Sequence, residues 1–415
     1  MSRTTLIILI VLAVAVAITV FLIVRRRRYV GALRERGWTF VSSPDLSSVL
    51  EHTAPPFGLG FSRSVDESIS GTLASGVPFH VFEYKTKQGG PTFDGRVASL
   101  RLPVALPTLF LVQGTPRSGV SFPPVDLDPS VLVLSDHPLF AAALFSGSVR
   151  SAVAAFGQAT GGLDLSIDGD HLVAVGAPKD PDELQVYLDR LAAVVTAMDW
   201  ASLAPYQIAR TPPQFGFFGR PDWVLVERDD SLIQKYGLTT VGSHHRTEQV
   251  LRGPNDGLPF EAFVHRWQTT RTETSTDSEG RTHTRTVTEH HDEVVCAVWL
   301  PAELPQLSLN GGWGGQRVRF EWEQFNDAYA VRTNSPKFAH DVIHPQMMEF
   351  LMRAQPPSFG IEGRLLRFSV SSHDTLLVGR CVDFAHEFLG RVPSFVWRDL
   401  GVTPPAFRVS GLDPR

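Results

Sequence analysis

Few residues of this 415-residue chain are spaced so that they could carry out chemistry. His340 and His344 have the spacing of the two zinc ligands in the H-E-x-x-H signature, in which the glutamate acts as a base. Asp341 stands in place of that glutamate, and Pro345 disfavours a helical conformation at His344. We therefore predict a solvated helix face here rather than a metal site.

Two other histidine clusters carry donors for a metal: His244 with His245, and the run EHHDE at 289–293. Adjacent strand residues point to opposite faces, so these clusters favour a pH-sensitive surface over chelation. The run GGWGG at 311–315 could hold a phosphate through backbone amides, but it is more typical of a turn between strands. The G-x-S-x-G, P-loop and G-x-G-x-x-G motifs are missing from the sequence. We predict no catalytic residue, no metal ligand and no cofactor.

The amino terminus predicts where the protein resides. Leu6 to Val24 is an apolar run whose only polar member is Thr19. As a helix it would span about 28 Å, close to the thickness of a bilayer's hydrocarbon core. No small-residue cleavage pattern follows, so residues 1–28 are predicted to be an uncleaved transmembrane anchor rather than a signal peptide or a buried core helix. The arginines that flank it are Arg25, Arg26, Arg27 and Arg28. Because positive charge favours the cytoplasmic side, we predict that the bulk of the chain lies in the cytoplasm at the cell membrane.

Composition narrows the class of partner. The chain is 43% hydrophobic and 20% charged, which is typical of a folded protein. Without Arg3 and the four arginines after the anchor, 33 basic residues face 43 acidic ones, and this negative excess argues against a nucleic-acid partner. The two cysteines, Cys296 and Cys381, are far apart in sequence and suit a reducing compartment.

The chain contains two similar halves. GVPFHVF, which begins at Gly76, matches GLPFEAF from Gly257, and LPVALPTL from Leu102 matches LPAELPQL from Leu300. Further matches follow in the same order, so we predict two tandem α+β units, each a largely antiparallel sheet with packed helices. The predicted boundaries are 29–204 for the first unit, 205–220 for a proline-rich linker, 221–402 for the second unit and 403–415 for a tail.

An insertion in the second unit lengthens a hairpin predicted at 263–295. Its outer part, TTRTETSTDSEGRTHTRTVTE at 269–289, alternates threonines with charges. A three-residue turn ending at Gly280 would pair Asp277 with Arg281 and place threonines on one face and charges on the other. A disordered polar loop is the alternative. The predicted partner-binding residues of this arm are Arg271, Glu273, Asp277, Arg281, His283 and Arg285.

The rest of the second unit reads as strands followed by helices. Residues 317–323 are predicted to form a strand with Val318, Phe320 and Trp322 on its buried face. A helix is predicted to start at Pro336 after Ser335 as cap. A final helix is predicted from 384 to 400. The inward positions of the helix after Ser335 would be Phe338, Val342, Met347, Phe350 and Leu351.

The run FNDAYAVRTNSPKFA at 325–339, with G-x-P-F before a hydrophobic strand and the arginine-flanked apolar segment, is similar to a bacterial protein family. That family comprises uncharacterised membrane-associated proteins with a domain of unknown function. The resemblance covers mainly the second unit and supplies no catalytic residues. It implies only a class, an anchored protein with a soluble domain and no assigned reaction.

These observations predict a single-pass membrane protein that acts as a protein-binding or scaffold module through the arm at 269–289. A membrane-tethered hydrolase with a site between the two units is one alternative. A structural protein that self-assembles by pairing arms edge to edge is another.

Overall fold

The computed structural model describes residues 3–210, 212–255, 257–276, 282–311 and 314–405. Their contacts separate the chain into two compact units. Unit 1 comprises Met1–Gly58, Ser62–Lys87 and Pro91–Phe218. Unit 2 comprises Leu59–Phe61, Gln88–Gly90 and Gly219–Arg415.

Unit 1 is built on a seven-stranded antiparallel sheet. Its strands are β1 (Thr39–Val41), β2 (Ser62–Thr72), β3 (Pro78–Gln88), β4 (Phe93–Val112), β5 (Pro124–Val125), β6 (Leu132–Leu134) and β7 (Asp164–Val175). Its helices are α1 (Arg3–Glu35), α2 (Pro138–Leu144), α3 (Gly147–Thr160), α4 (Pro181–Ala197) and α5 (Trp200–Leu203), with 3-10 turns at Leu46–Val49 and Ala204–Tyr206. The order across the sheet is β1-β2-β3-β4-β6-β5, and β7 also pairs with β4.

Helix α4 shows how local sequence signals build the core of unit 1. Asp180 caps the helix, its side chain accepting hydrogen bonds from the backbone N–H groups of Asp182 and Glu183, and Pro181 occupies the first turn. Apolar residues at helical spacing then bury one face. They pack into a single core with α3 and the sheet, and include Leu184, Leu188, Leu191 and Val195.

Unit 2 is built on a second seven-stranded antiparallel sheet. Its strands are β8 (Val224–Arg228), β9 (Ser243–Asn255), β10 (Leu258–Thr276), β11 (Thr282–Leu309), β12 (Gln316–Val318), β13 (Val331–Thr333) and β14 (Phe359–Val370). Its helices are α6 (Ser231–Lys235), α7 (Glu323–Ala328), α8 (Pro336–Val342), α9 (Pro345–Ala354), α10 (Thr375–Gly390) and α11 (Ser394–Asp399). The order is β12-β13-β11-β10-β9-β8, with β14 paired to β11.

The two sheets share one connectivity. Strands β1 to β7 correspond in order to β8 to β14: in each unit the third and fourth strands form the long central hairpin, and the seventh pairs with the fourth. The predicted α+β class with two antiparallel sheets and packed helices is confirmed.

Helix α1 differs from the other helices in what it exposes. Leu33, near its end, is fully buried in the core of unit 1, and Tyr29 packs edge-on against Phe40. Within the described part of the chain, no single helix is both long and apolar enough to cross a membrane, whereas α2 and α3, bent by 77°, meet that test as a pair. The large apolar side chains that α1 exposes, between 42% and 63%, are Ile7, Leu12, Val14, Val16, Ile18, Val20, Phe21, Leu22, Ile23 and Val24.

Residues 205–210 and 212–218, most of the predicted linker, contact the rest of unit 1. The backbone N–H of Ile208 donates to the carbonyl of Ala105 at 3.0 Å, and that of Gln214 donates to the carbonyl of Leu50 at 3.3 Å. The guanidinium of Arg63 lies 4.1 Å from the ring centre of Phe215 and 5.1 Å from that of Phe217.

The strand predicted at 317–323 is wrong in length, because β12 ends at Val318. The buried side chain of Asn326 takes both backbone groups of Phe320: its Oδ1 accepts from the N–H at 2.9 Å, and its Nδ2 donates to the carbonyl at 2.7 Å. Those are the groups that a neighbouring strand would need. The chain therefore turns into α7 at Glu323.

The helix predicted after Ser335 has the predicted buried positions, but both predicted helices have the wrong bounds. The five predicted inward positions after Ser335 are buried, but they lie on two helices, because α8 ends at Val342 and Pro345 opens α9. The helix predicted at 384–400 starts earlier, since Asp374 caps α10 through the N–H groups at 376 and 377. It also ends earlier, at Gly390, before the proline-initiated turn that opens α11.

Asn326→Ala is expected to lower the free energy of unfolding by about 1 to 3 kcal/mol, because two part-buried backbone groups of Phe320 lose their partner. Urea unfolding followed by tryptophan fluorescence measures this loss. Asn334→Ala, at an exposed position, is the control and should change stability by less than about 0.5 kcal/mol. Equal losses in the two variants would contradict the role given to Asn326.

Candidate functional site

The outer part of the β10–β11 hairpin is a two-stranded ribbon. The last pairing of β9 with β10 is Ser243 with Gln268, and β14 pairs with β11 only from Val294 inward. Beyond these points the pairs run from Thr269 with Glu289 to Thr276 with Thr282. We call residues 269–276 and 282–289 the arm. Eight pairs at about 3.4 Å each give the arm a length of about 27 Å.

The backbone register of the arm is the predicted one. Thr270 pairs with Thr288, Thr272 with Thr286 and Thr274 with Thr284, while the intervening pairs carry the charges. The threonine side chains that the structure describes on these three pairs are exposed. The described side chains on the opposite, charged face are also exposed or half-exposed, so neither face of the arm covers a core.

The charged face of the arm carries a zigzag of ion pairs. Arg271 donates to Glu273 at 2.9 Å and to Glu289 at 3.0 Å, and Arg285 donates to Glu273 at 3.1 Å. The two arginine side chains remain 62% and 77% exposed. Each exposed pair contributes at most about 1 kcal/mol to stability, so the zigzag orients the charged groups more than it stabilises the ribbon.

The structure thus brings three of the six predicted arm residues together: Arg271, Glu273 and Arg285. His283 is paired in the backbone with Ser275. Asp277 and Arg281 lie outside the described residues. Of the membrane-flanking arginines, Arg26 lies 3.9 Å from Glu67 and over the ring of Phe40, and Arg25, Arg27 and Arg28 continue the same helix.

A histidine stack lies at the base of the arm. His245 Nδ1 lies 3.1 Å from Nε2 of the buried His265, whose Nδ1 lies 3.0 Å from Glu293 Oε1. The rings of His265, Trp267 and His291 stack with centroid separations of 4.9 and 5.3 Å. His245 and His291, from the two histidine clusters of the sequence, therefore lie in one group with His265 of β10.

The structure also shows where the spaced histidine pair and the two cysteines of the sequence lie. His340 and His344 do not share a helix, because α8 ends at Val342 and His344 caps α9. They thus lack the i, i+4 geometry that a helical zinc signature requires. Cys296 and Cys381, far apart in sequence, are buried neighbours: the pKa of the Cys296 thiol is raised well above its usual value by a hydrogen bond with Cys381 and by burial.

Unit 1 contains a compact group of histidines and carboxylates that the sequence reasoning missed. We call Glu51, His52, Arg101, Asp170 and His171 the Glu51 cluster. His171 Nε2 lies 3.2 Å from Glu51 Oε1, and His171 Nδ1 lies 3.1 Å from Asp170 Oδ1. Arg101 closes the ring, with contacts of 3.0 Å to Glu51 Oε2 and 2.7 Å to Asp170 Oδ2. The bond to His171 lowers the pKa of Glu51 to about 2, so this carboxylate is ionised at neutral pH.

His52 is the least satisfied member of the Glu51 cluster. It is 4% exposed, packs against the rings of Phe57 and Phe82 with centroid separations of 4.8 and 5.8 Å, and meets the edge of His171 at 4.6 Å. Neither ring nitrogen has a hydrogen-bond partner among the described residues. Burial, with the charge of His171, holds the pKa of His52 well below its ordinary value, so the ring is neutral. An unpaired buried polar group costs about 1 to 3 kcal/mol.

Local backbone features bring the Glu51 cluster together. Strands β4 and β7 pair Arg101 directly with His171. On the other side, the buried carboxylate of Asp168 accepts from the backbone N–H groups of Thr53 and Ala54 at 2.7 and 2.9 Å. Burial raises the pKa of Asp168, while these bonds counteract the rise. Asp168 thereby fixes the loop after the Leu46–Val49 turn, and this places Glu51 and His52 against the strand.

A sequence signal for this cluster exists in retrospect. The run DGDH at 168–171 interrupts an otherwise apolar strand, and Gly169 adopts a left-handed φ of 59° where the pairing of β4 with β7 shifts register. A glycine with charged neighbours inside a strand indicates a bulge, and bulges often reorient side chains at sites. No spacing in the sequence indicates that Glu51 and His52, over a hundred residues earlier, meet this bulge.

Comparison with known proteins adds little. No protein-family profile and no curated protein matches the chain. One solved structure is similar in part: the mycobacterial trehalose monomycolate transport factor A, TtfA, at 10% sequence identity and a TM-score of 0.31, over 42% of this chain and 95% of that one. A similarity at this level carries no functional argument. The resemblance to an uncharacterised membrane-associated family therefore stays a prediction.

His52→Phe is expected to make stability less dependent on pH. The folded-state pKa of His52 is depressed, so only the unfolded chain takes up this proton, and stability is lost as pH falls below about 6.5. The loss is about 1.4 kcal/mol per pH unit, and phenylalanine removes it. Urea unfolding at pH 7.5, 6 and 5 tests this.

His340→Phe, at an exposed position, is the matched control and should follow the wild-type curve. Parallel curves for wild type and His52→Phe over this range would show that His52 takes up a proton in the folded state.

Proposed function

We propose that this protein is a single-pass membrane protein whose second unit uses the arm to bind a protein partner at the cytoplasmic face of the membrane. The observation that carries the proposal is the arm itself. It extends for eight residue pairs beyond the sheet, and the described side chains on its two faces are exposed or half-exposed. The fold of unit 2 gains no core from it.

The energetics of the arm support a role in binding. A two-stranded ribbon that buries no apolar face is marginally stable in water. Threonine pairs and the ion pairs of Arg271, Glu273 and Arg285 contribute modestly to its order. The oriented guanidinium and carboxylate groups can exchange their mutual contacts for contacts with a partner of alternating charge. Arginine suits this use because its planar fork forms two bonds to one carboxylate.

Helix α1 supports the membrane part of the proposal. Its apolar side chains from Leu12 to Val24 are exposed on every side of the helix rather than along one stripe. A helix that is apolar all round is stable where its surroundings are apolar too. The four arginines that follow are expected to lie at the lipid headgroups on the cytoplasmic side.

The shared connectivity of the two sheets supports a further part of the proposal, that the units are tandem copies of one ancestral unit. In this reading unit 1 retains the short hairpin, with β3 and β4 separated by the residues at 89–92, and unit 2 carries the extended one. The added length is then a specialisation of the second copy.

Site-specific crosslinking tests the arm as the contact surface. A photoreactive phenylalanine analogue in place of Thr274, exposed on the arm, is expected to give one crosslinked product of defined mass in native membranes. The same analogue in place of Val186, exposed on α4 of unit 1, is the control and should not give that product.

Arg285→Ala should reduce the yield of that product by about tenfold, equivalent to about 1.4 kcal/mol, because it removes an oriented charge. Lys337→Ala removes an exposed charge elsewhere in unit 2 and should not reduce it. Loss of residues 271–287 without loss of partner binding would refute the proposal. A crosslinked product of twice the chain mass would support self-assembly in its place.

The anchor has its own test. Val16→Arg is expected to move the protein from the alkali-resistant membrane fraction to the soluble fraction, because an arginine at the centre of a spanning helix costs about 2.5 to 3.5 kcal/mol. Val16→Leu is the matched control and should remain in the membrane fraction. Retention of both variants would contradict a spanning helix at this position.

A further inference from the structure

We infer that Glu51, His52 and His171 form a binding site for one divalent transition-metal ion, and that zinc is the metal best matched by these donors. The site lies within unit 1 and does not depend on the arm or on the proposed anchor. It is the one group of three or more potential ligands with clustered donor atoms found in the described part of the chain.

The distances between donor atoms are suited to a metal ion. One donor atom from each of the three residues lies within 4.8 Å of the other two. Glu51 Oε1 and His171 Nε2 are already 3.2 Å apart. Two ligands at about 2.0 to 2.1 Å from a tetrahedral zinc ion are separated by about 3.3 Å. Two of the three ligands therefore stand at the required spacing, and a small movement of the His52 ring brings the third within reach.

The unpaired nitrogens of His52 are the second observation that indicates a ligand. The His52 ring is 4% exposed and packs against Phe57 and Phe82, and neither of its nitrogens has a hydrogen-bond partner among the described residues. A buried ring without a hydrogen-bond partner carries a free-energy cost that coordination would remove. The two phenylalanines would also limit the rotation of the ring.

Outer contacts hold the three residues in place. Asp170 Oδ1 lies 3.1 Å from His171 Nδ1, and a metal ion bound at His171 Nε2 would displace the proton that this nitrogen shares with Glu51 Oε1 at 3.2 Å. Asp168 holds the backbone that follows His52. Arg101 lies 3.0 Å from Glu51 Oε2, which leaves Oε1 as the coordinating oxygen.

The charges around the site set its affinity. Arg101 and Arg210 contact Asp170 at 2.7 and 2.9 Å, and Arg101 also contacts Glu51, so the two carboxylates are already neutralised. The metal would bring its charge into a site that offers no excess of negative charge. We therefore expect binding to be weaker than at a cysteine-rich zinc site.

Metal content of the full-length protein, purified in detergent with a tag that lacks histidine, tests the inference. Protein stripped with chelator is incubated with zinc chloride, freed of excess metal by gel filtration, and measured by elemental mass spectrometry. The expected result is one zinc ion per chain. Glu51→Gln and His52→Phe are each expected to lower zinc binding at least tenfold, whereas His245→Phe, in unit 2, should leave it unchanged. Wild-type protein without zinc would overturn the inference, and so would variants that bind zinc as the wild type does.

X-ray absorption of the zinc-loaded wild type provides a test that needs no variant to fold. The expected spectrum shows two imidazole ligands and oxygen at about 2.0 to 2.1 Å. A sulfur ligand at about 2.3 Å would place the ion at Cys296 or Cys381 and would overturn the assignment. Circular dichroism of each variant confirms that a loss of zinc is not a loss of fold.

Discussion

The pairing of β10 with β11 is the constraint on which unit 2 depends. One uninterrupted register joins Phe260 with Val298 at one end and Thr276 with Thr282 at the other. At the inner end it buries Phe263 and Val295 in a core, and at the outer end the same alternation exposes Arg271 and Glu273. A slip of one residue would move every side chain to the opposite face, so core and arm cannot shift independently. The core of unit 2 thereby fixes the register of the arm, although the arm has no core of its own.

The elements that could be predicted are those whose signals are local. Alternation around one glycine was sufficient for the register of the arm, because a two-stranded ribbon is determined by its turn and its side-chain period. The buried positions after Ser335 were also predicted correctly, because the helical period of the apolar residues is a local signal. The strand at 317–323 failed because alternation does not reveal that Asn326, a few residues later, binds both backbone groups of Phe320. Such competition between a side chain and a sheet is visible only once the turn has formed.

The Glu51 cluster marks the limit of reading from sequence. Its members come from the loop after the first 3-10 turn, from β4 and from β7, and no spacing relates them. Each has an ordinary alternative on its own: His52 could be an exposed loop residue, and Arg101 could pair with any nearby acid. Their meaning depends on the β4–β7 register and on Asp168, which joins loop and strand. The contact between Cys296 and Cys381 could not be predicted from sequence either, because residues 85 positions apart become neighbours only through tertiary packing.

Helix α1 has a mechanical consequence. It runs without a break from its exposed apolar part to Leu33 in the core of unit 1. The hydroxyl of Tyr29 accepts a hydrogen bond from the guanidinium of Arg96 at 3.0 Å, which fixes the last turns of the helix. Within α1, no loop or break separates the exposed apolar part from the part that packs on unit 1. If the apolar part spans a bilayer, rotation of the helix about its own axis is also rotation of unit 1. If another membrane protein packed against one side of the helix within the bilayer, that contact would also determine which side of unit 1 faces the other protein outside the bilayer.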